Sequence, residues 1–259
     1  MPGFESAARP SAPIEDLLAG FGRAVARSAP PGERPRVLFS GGLDSSLLAW
    51  TLRGRDPDLV TIGIRGSADL RAAEGAAGLL GLRVRLREFE LQELRDRWGG
   101  WGRILHSKPE PQRSVLFALG LAFEEVSAGP VLLGQGADEL FGGYARYAGQ
   151  DAESAARMSE VDLRALLDRD WPETLDLAER WRVEPRAPYL DREFVHQVLG
   201  LTPGARFAGL ERKPLLRELA RRAALPALLA DRPKKALQYG SGVARALRRF
   251  QRDAENPPD

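Results

Sequence analysis

The amino-acid sequence predicts an α/β fold: a doubly wound parallel sheet of about five strands with a mostly helical C-terminal portion. Short apolar runs alternate with segments of helical periodicity up to about residue 150, which is typical of a parallel sheet covered by helices on both faces. Beyond about residue 151 the strand pattern stops and only helical patterns continue. At 259 residues the chain can bury one such core, so we expect a single domain over 1–259.

The first part of the chain, 14–150, is expected to form the sheet and its flanking helices. An amphipathic helix over 14–27 is followed by a proline-rich linker into the first strand. Strands are predicted at 36–40, 59–64, 83–89 and 130–134, with helices at 45–53, 69–80, 91–97, 112–127 and 138–147. The second part, 151–252, is predicted to be mostly helical, with helices at 159–169, 171–182, 189–199, 212–224 and 242–252. The tail 253–259 is expected to be disordered.

The composition, with 43% hydrophobic and 29% charged residues, indicates a soluble globular protein. Its 38 basic residues are interspersed with 36 acidic ones, so neither nucleic acid nor a membrane surface is an expected partner. The longest apolar stretch, 114–123, is too short to cross a bilayer, and 1–14 lacks the hydrophobic segment of a signal peptide. We therefore expect a cytoplasmic protein. The chain contains no cysteine, which excludes disulfides, cysteine-ligated metals and a cysteine nucleophile.

The segment 36–46 joins an apolar strand to a glycine-rich turn and a helix start. It reads Arg-Val-Leu-Phe-Ser-Gly-Gly-Leu-Asp-Ser-Ser. The glycines let backbone N–H groups approach an anion, the helix N-terminus adds positive charge, and Asp44 offers a carboxylate to a divalent cation. The turn therefore predicts a site for phosphate with magnesium, the alternative being an ordinary glycine turn with a serine cap. It is not a Walker A loop, because the Gly-Lys-Ser/Thr ending is missing.

A second strand and turn of this kind occupy 131–147. This segment reads Val-Leu-Leu-Gly-Gln-Gly-Ala-Asp-Glu-Leu-Phe-Gly-Gly-Tyr-Ala-Arg-Tyr, with the acidic pair Asp138 and Glu139 at a helix start. Its carboxylates are expected to meet a magnesium ion from the side opposite Asp44. The alternative is a helix N-terminus stabilised by acidic residues, which is common.

Both segments resemble known motifs. The 40–46 turn resembles the pyrophosphate loop of the ATP pyrophosphatases, and 131–147 resembles, almost letter for letter, the second signature of the asparagine synthetase family. Three further stretches are similar to that family in the same order: 61–70, 183–191, and a C-terminal series formed by 213–217, 225–226 and 232–234. The resemblance implies an adenine nucleotide alpha hydrolase-like, Rossmann-type sheet and the cofactors ATP and Mg²⁺.

The resemblance also implies roles for individual residues. Asp44 and Asp138 would bind Mg²⁺, Lys234 would be the catalytic lysine, and Gln135 would stand where the family has a catalytic glutamate. The implied nucleotide contacts are Leu38, Ser40, Gly41, Gly42, Asp44, Ser45, Ile62 and Gly134.

On the substrate side, the resemblance implies Arg113, Glu139 and Lys213 as contacts. Two further residues of the 183–191 stretch, Arg186 and Asp191, are expected either to form a buried pair or to contact substrate.

The chemistry implied by the resemblance has two steps. A substrate carboxylate attacks the α-phosphorus of ATP and releases pyrophosphate, and ammonia or an amine then displaces AMP to form an amide. Positioning and charge stabilisation are what such a reaction requires of a protein. The expected partners are therefore a small-molecule carboxylate and ammonia or an amine.

Two departures from the family leave the substrates open. The family's glutaminase domain and its cysteine nucleophile are not expected in this chain, and Gln135 cannot take a proton as a glutamate could. The leading hypothesis is an asparagine synthetase-like ligase, with aspartate to asparagine as its candidate reaction. The alternatives are the same adenylation with another substrate, as in lactam, macrolactam or metabolite amidation, or a nucleotide-binding subunit active only with a separate glutaminase. A homo-oligomer is also left open.

Overall fold

The computed structural model describes residues 14–105, 107–208, 211–231 and 242–255. Within these ranges the chain forms a parallel sheet with helices on both faces, which confirms the predicted fold class. The strands are β1 (Arg36–Leu38), β2 (Asp58–Ile64), β3 (Val84–Phe89), β4 (Gly129–Leu132) and β5 (Val183–Arg186). Their order is β3-β2-β1-β4-β5, and every neighbouring pair is parallel.

Helices connect the strands and cover the sheet. Before β4 they are α1 (Ile14–Ser28), α2 (Leu43–Thr51), α3 (Ala68–Leu80), α4 (Leu91–Leu105) and α5 (Gln112–Val126). After β4 they are α6 (Ala137–Phe141), α7 (Ala152–Ala165), α8 (Trp171–Glu179), α9 (Arg192–Leu199), α10 (Pro203–Phe207), α11 (Pro214–Arg222), α12 (Ala227–Ala230) and α13 (Val243–Glu255). Over the residues described, no helix is long and apolar enough to cross a membrane.

Helices cover both faces of the sheet, so alternate strand residues enter two separate hydrophobic cores. Leu132 packs with residues of α1, α2 and α11 on one face. Its neighbours Val131 and Leu133 pack with residues of α5, α8 and α13 on the other face. Strands buried on both faces need near-continuous apolar sequence, and β2 has it, with every residue from Leu59 to Gly63 buried.

The strand order creates a crevice between β1 and β4. From β1 the chain builds β2 and β3 on one side of the sheet, and β4 and β5 then add to the other side of β1. The loops that follow β1 and β4 therefore leave the same edge of the sheet in opposite directions. Ligands of open α/β sheets bind at such a switch point, beyond the carboxyl ends of the strands.

The strand β5 corrects the expectation that strand structure stops at about residue 151. It spans only Val183–Arg186 and contains Pro185, which has no N–H to donate to a neighbouring strand. A proline is tolerated here because β5 is an edge strand that pairs only with β4. Its short length and its proline concealed it in the sequence.

Several helix boundaries also differ from the predicted ones. α4 continues to Leu105 instead of ending at 97. α6 stops at Phe141 instead of 147, because Gly142 adopts a left-handed conformation with φ of +73° and ends the helix. α7 begins at Ala152 instead of 159, since the Asp151 side chain accepts a hydrogen bond from the Ser154 amide and caps it. α13 runs through 255, so 253–255 are helical where a disordered tail was expected, and 256–259 lie outside the described residues.

An aromatic cluster anchors α1 to the C-terminal half of the chain. The ring of Phe21 lies 5.0 Å from that of Tyr189 and 5.4 Å from that of Phe194. Phe21 and Tyr189 are completely buried, so this cluster contributes strongly to packing on that face.

Replacing Phe21 with alanine is expected to lower the free energy of unfolding by about 3–5 kcal/mol, because the cavity left by the ring cannot close fully. Urea denaturation measures this change. Val161→Ala, at a side chain that is 65% exposed, is the control and should change the free energy of unfolding by less than about 0.5 kcal/mol. An equally small effect at Phe21 would contradict the central place of the cluster.

Arg186 and Asp191 do not pair with each other, so the buried pair that was one of the two expectations for these residues does not form. Asp191 binds Arg27 through two hydrogen bonds of 2.6 and 2.8 Å, and it also caps α9 by accepting from the Phe194 amide at 3.1 Å. Arg186 instead donates to the carbonyl of Ser28 at 3.0 Å and to Glu184 at 3.1 Å. Both side chains therefore tie β5 and α9 to the end of α1.

The Asp191→Asn variant is expected to be less stable than the wild type at pH 7, by an amount that shrinks on acidification. Hydrogen bonds from Arg27 hold the pKa of Asp191 below its ordinary value of 3.8. At a pH between 3.8 and the lower pKa of Asp191 in the folded protein, this carboxyl group is protonated more often in the unfolded chain than in the folded one. Lowering the pH through this range therefore favours unfolding. Urea denaturation at pH 7 and at pH below 3.8 measures the difference. A stability difference that does not depend on pH would contradict this assignment.

Candidate active site

A cleft of about 980 Å³ opens at the switch point between β1 and β4. Its walls include most of the side chains that the resemblance singled out, drawn from both strand ends and from the loops after them. Those that line it are Leu38, Ser40, Asp44, Ser45, Ile62, Gly134, Gln135, Asp138 and Glu139. Residues that are far apart in the sequence are therefore brought to one cavity.

The loop after β1 is held in a tight hydrogen-bonded turn. The Ser45 hydroxyl accepts from the Ser40 amide at 3.2 Å and donates to the Gly42 carbonyl at 3.3 Å. Gly41 has φ of +67°, and a Cβ there would lie 2.5 Å from the Ala72 carbonyl oxygen, so only glycine fits against α3. The turn leads directly into α2, whose N-terminus no side chain caps. This end of the helix is thus suited to an anion.

Asp44 and Asp138 converge on one ammonium group. The Nζ atom of Lys213 lies 2.5 Å from Oδ1 of Asp44 and 2.7 Å from Oδ1 of Asp138. The lysine is only 2% exposed, whereas the two carboxylates reach the cleft. Burial lowers the pKa of Lys213, and the charge of Asp44 opposes that effect. The loops after β1 and β4 are therefore joined by an internal cation.

The loop after β4 places an amide and a second carboxyl group beside this pair. Gln135 donates through Nε2 to the Thr174 hydroxyl at 3.3 Å, and Thr174 in turn donates to the Asp170 carbonyl at 2.8 Å. Glu139 accepts a hydrogen bond from the hydroxyl of Tyr144. Burial raises the pKa of Glu139, an effect that the Tyr144 hydrogen bond partly opposes.

Some residues implied as site residues do not line the cleft, and one of them is not described. Arg113 does not line the cleft; its guanidinium pairs with Glu110 at 3.1 Å, and Glu110 does line it. Lys213 lies behind the cleft wall, against the two aspartates. Gly41 and Gly42 shape the loop without lining the cavity, and Lys234 lies outside the described residues.

Other wall residues carried no recognised sequence signal. Arg169 lies just before α8, Thr174 lies within α8, and Arg245 comes from α13. Arg212 also lines the cleft, beside Lys213 in the C-terminal motif. Only Arg212 could have been suspected from its neighbour, since the others depend on how distant helices pack against the sheet.

The donor set fits magnesium bound together with a polyphosphate. Over the residues described, no group of three or more histidine or acidic side chains forms a metal cage. Mg²⁺ in nucleotide sites is usually held by one or two carboxylates, with phosphate oxygens and water completing the octahedron. Asp44 and Asp138, facing each other across the β1 and β4 loops, provide those two carboxylates.

Comparisons with known proteins agree with this geometry. The sequence model of the asparagine synthase family matches residues 16–179 and 148–257. Asparagine synthetase 3 (glutamine-hydrolyzing) of Arabidopsis thaliana is 30% identical over 224 residues, which cover 78% of this chain and 38% of that protein. Asparagine synthetase B (glutamine-hydrolyzing) of Escherichia coli K12 is 30% identical over 237 residues, covering 80% of this chain and 41% of that protein. The chain thus spans about two fifths of the length of these curated relatives.

Among solved structures, a chain described as a predicted subunit of tRNA methyltransferase from Methanocaldococcus jannaschii aligns with a TM-score of 0.35 and 18% identity. The alignment covers 73% of this chain and 87% of that one. The strand order β3-β2-β1-β4-β5 by itself defines the doubly wound sheet. The family match, in contrast, includes both loops that build the cleft, and the chain belongs to the asparagine synthase family.

Proposed function

We propose that this chain is an ATP-dependent ligase that adenylates a substrate carboxylate, releases pyrophosphate and transfers the acyl group to ammonia or an amine. The observation that carries the proposal is the convergence of Asp44 and Asp138 at the switch-point cleft, next to the open N-terminus of α2. Family membership supports ATP-dependent amidation in general. The particular acid and nitrogen donor belong to the proposal.

The cleft offers a separate place for each part of ATP. The adenine would lie in its apolar region against Leu38 and Ile62, at the ends of β1 and β2. The phosphates would lie along the 40–45 turn, where the N-terminus of α2 favours negative charge. Asp44 and Asp138 would hold Mg²⁺, which supplies charge neutralisation on the phosphates when bound.

The first step of the reaction requires a carboxylate in line with the leaving pyrophosphate. An oxygen of the acid forms a bond to the α-phosphorus while the bond between that phosphorus and the bridging oxygen breaks. The guanidinium group of Arg212 on the cleft wall is suited to holding an anion during this step, whereas that of Arg169 already pairs with Asp170 at 2.7 Å. Lys234, which the family resemblance implies as the catalytic lysine, would stabilise the negative charge that accumulates on the α-phosphate.

The second step requires a nitrogen nucleophile at the acyl carbon. Its lone pair forms the amide bond, AMP leaves, and one proton is released. Gln135 is placed on the β4 side of the cleft, where it would orient the nucleophile without taking up that proton. Aspartate with ammonia is the first pair of substrates to test. The neutral side chain of Gln135 favours a second candidate, the same adenylation with another acid or amine.

The purified protein is expected to convert ATP to AMP and pyrophosphate only when a suitable carboxylate is present. Aspartate and a panel of other carboxylic acids, each with and without ammonium, should be screened for pyrophosphate release. With the active acid labelled with ¹⁸O in its carboxylate, one label should appear in AMP, because that oxygen stays on phosphorus when the acyl group leaves. Formation of ADP and phosphate, or AMP without label, would refute adenylation.

Asp44→Asn and Asp138→Asn are each expected to reduce carboxylate-dependent pyrophosphate release by about 100-fold or more, since each removes a charged ligand of the metal–phosphate site. Steady-state rates at saturating ATP and Mg²⁺ measure the loss. Asp176→Asn, at an exposed position on α8, is the matched control and should keep the wild-type rate. Full activity in either cleft variant would exclude that carboxylate from the site.

A further inference from the structure

Lys213 is a buried lysine whose ammonium group lies between two carboxylates. Its side chain is 3% exposed, and its ammonium contacts one oxygen of Asp44 and one of Asp138 at 2.5 and 2.7 Å. Two carboxylates that approach one point would repel each other strongly, and a cation at that point removes the repulsion. The ammonium therefore lies where the two proposed metal ligands meet.

Two backbone features show that this position is built into the fold. Lys213 has φ of +58° and ψ of +47°, a left-handed conformation that residues other than glycine, asparagine and aspartate seldom adopt. Pro214 follows it at the first position of α11, so the strained residue directs its side chain inward just before the helix begins. At Gly143, an added Cβ would overlap both the Asp138 carboxylate and Cε of Lys213. The lysine thus reaches the carboxylates through space that only glycine leaves open.

We infer that Lys213 is an internal counter-ion that occupies the meeting point of Asp44 and Asp138, so that a divalent cation binds there only when a polyphosphate accompanies it. With the lysine in place, the pair of carboxylates and the ammonium carry a net charge of about −1, a weak attraction for a divalent cation next to another positive charge. A nucleotide brings further negative charge and additional oxygen ligands, which changes that balance. The inference rests on the proposed function for the identity of the metal ligands.

The test measures Mn²⁺ binding by electron paramagnetic resonance, with and without the non-cleavable analogue α,β-methylene-ATP. Without nucleotide, the wild type should bind Mn²⁺ only weakly, and Lys213→Met should bind it at least about tenfold more tightly, because the competing charge is gone. With the analogue, the wild type should bind Mn²⁺ too. Lys108→Met is the matched control: it removes one lysine that pairs with Glu173 at 2.7 Å, and it should behave as the wild type.

Thermal unfolding gives a second measurement in case Lys213→Met is unstable. Removing the lysine leaves two carboxylates facing each other, so the variant should melt below the wild type, and Mg²⁺ alone should raise its melting temperature but not that of the wild type. Lys213→Gln removes the charge but keeps a polar side chain, so it too should bind Mn²⁺ more tightly than the wild type without nucleotide.

Two results would overturn the inference: tight Mn²⁺ binding by the wild type alone, or binding no tighter in Lys213→Met and Lys213→Gln than in the wild type. These outcomes are independent of the ligase assay. A protein that releases no pyrophosphate with any acid would refute the proposed function, while its metal binding would still decide the role of Lys213.

Discussion

β1 ends at Leu38 and β4 begins at Gly129, yet the two strands are neighbours in the sheet. Because both are parallel and both end at the same edge, the turns that follow them must emerge side by side. The order β3-β2-β1-β4-β5 makes the connections depart in opposite directions, and the space between them becomes the cleft. The convergence of the two aspartates depends on this pairing, since Asp44 follows one strand and Asp138 follows the other.

The helices around the sheet hold these turns from behind. Tyr189, buried in the aromatic cluster with Phe21, donates its hydroxyl to the backbone carbonyl of Asp44 at 3.0 Å. On the other side, the buried guanidinium of Arg206 donates to the carbonyl of Leu140 at 3.2 Å and to the hydroxyl of Ser159 at 2.8 Å. Tyr189 and Arg206 therefore hold the main chain of α2 and α6 just after the two turns, so the packing of α1, α9 and α10 supports a cleft that these helices do not line.

The sheet, both turns and the paired carboxylates could be predicted from the sequence because their signals are local. After an apolar strand, glycines allow a tight turn around an anion, and acidic residues can bind a cation beside it. What it concealed depends on tertiary packing. β5 was missed because Pro185 argues against a strand unless its edge position is known. Asp191 was expected either to pair with Arg186 or to contact substrate, but its partner Arg27 lies on α1, far away in the sequence. Lys213 was expected to touch substrate, and only the fold shows that its ammonium lies between two aspartates.

The contacts of Gln135 separate the two halves of the proposed reaction. The single hydroxyl proton of Thr174 is donated to the Asp170 carbonyl, so Thr174 can only accept from Gln135, and the amide must turn its NH₂ group toward α8. Over the residues described, the Gln135 carbonyl oxygen is buried and has no hydrogen-bond partner. Phosphate chemistry would thus depend on the β1 turn, the β4 turn and Lys213, whereas the nitrogen side would depend on a neutral amide oriented by α8. Asp138 and Gln135 both follow β4, but Thr174 of α8 contacts Gln135, so a change at Thr174 would alter the orientation of this amide more directly than the metal–phosphate geometry.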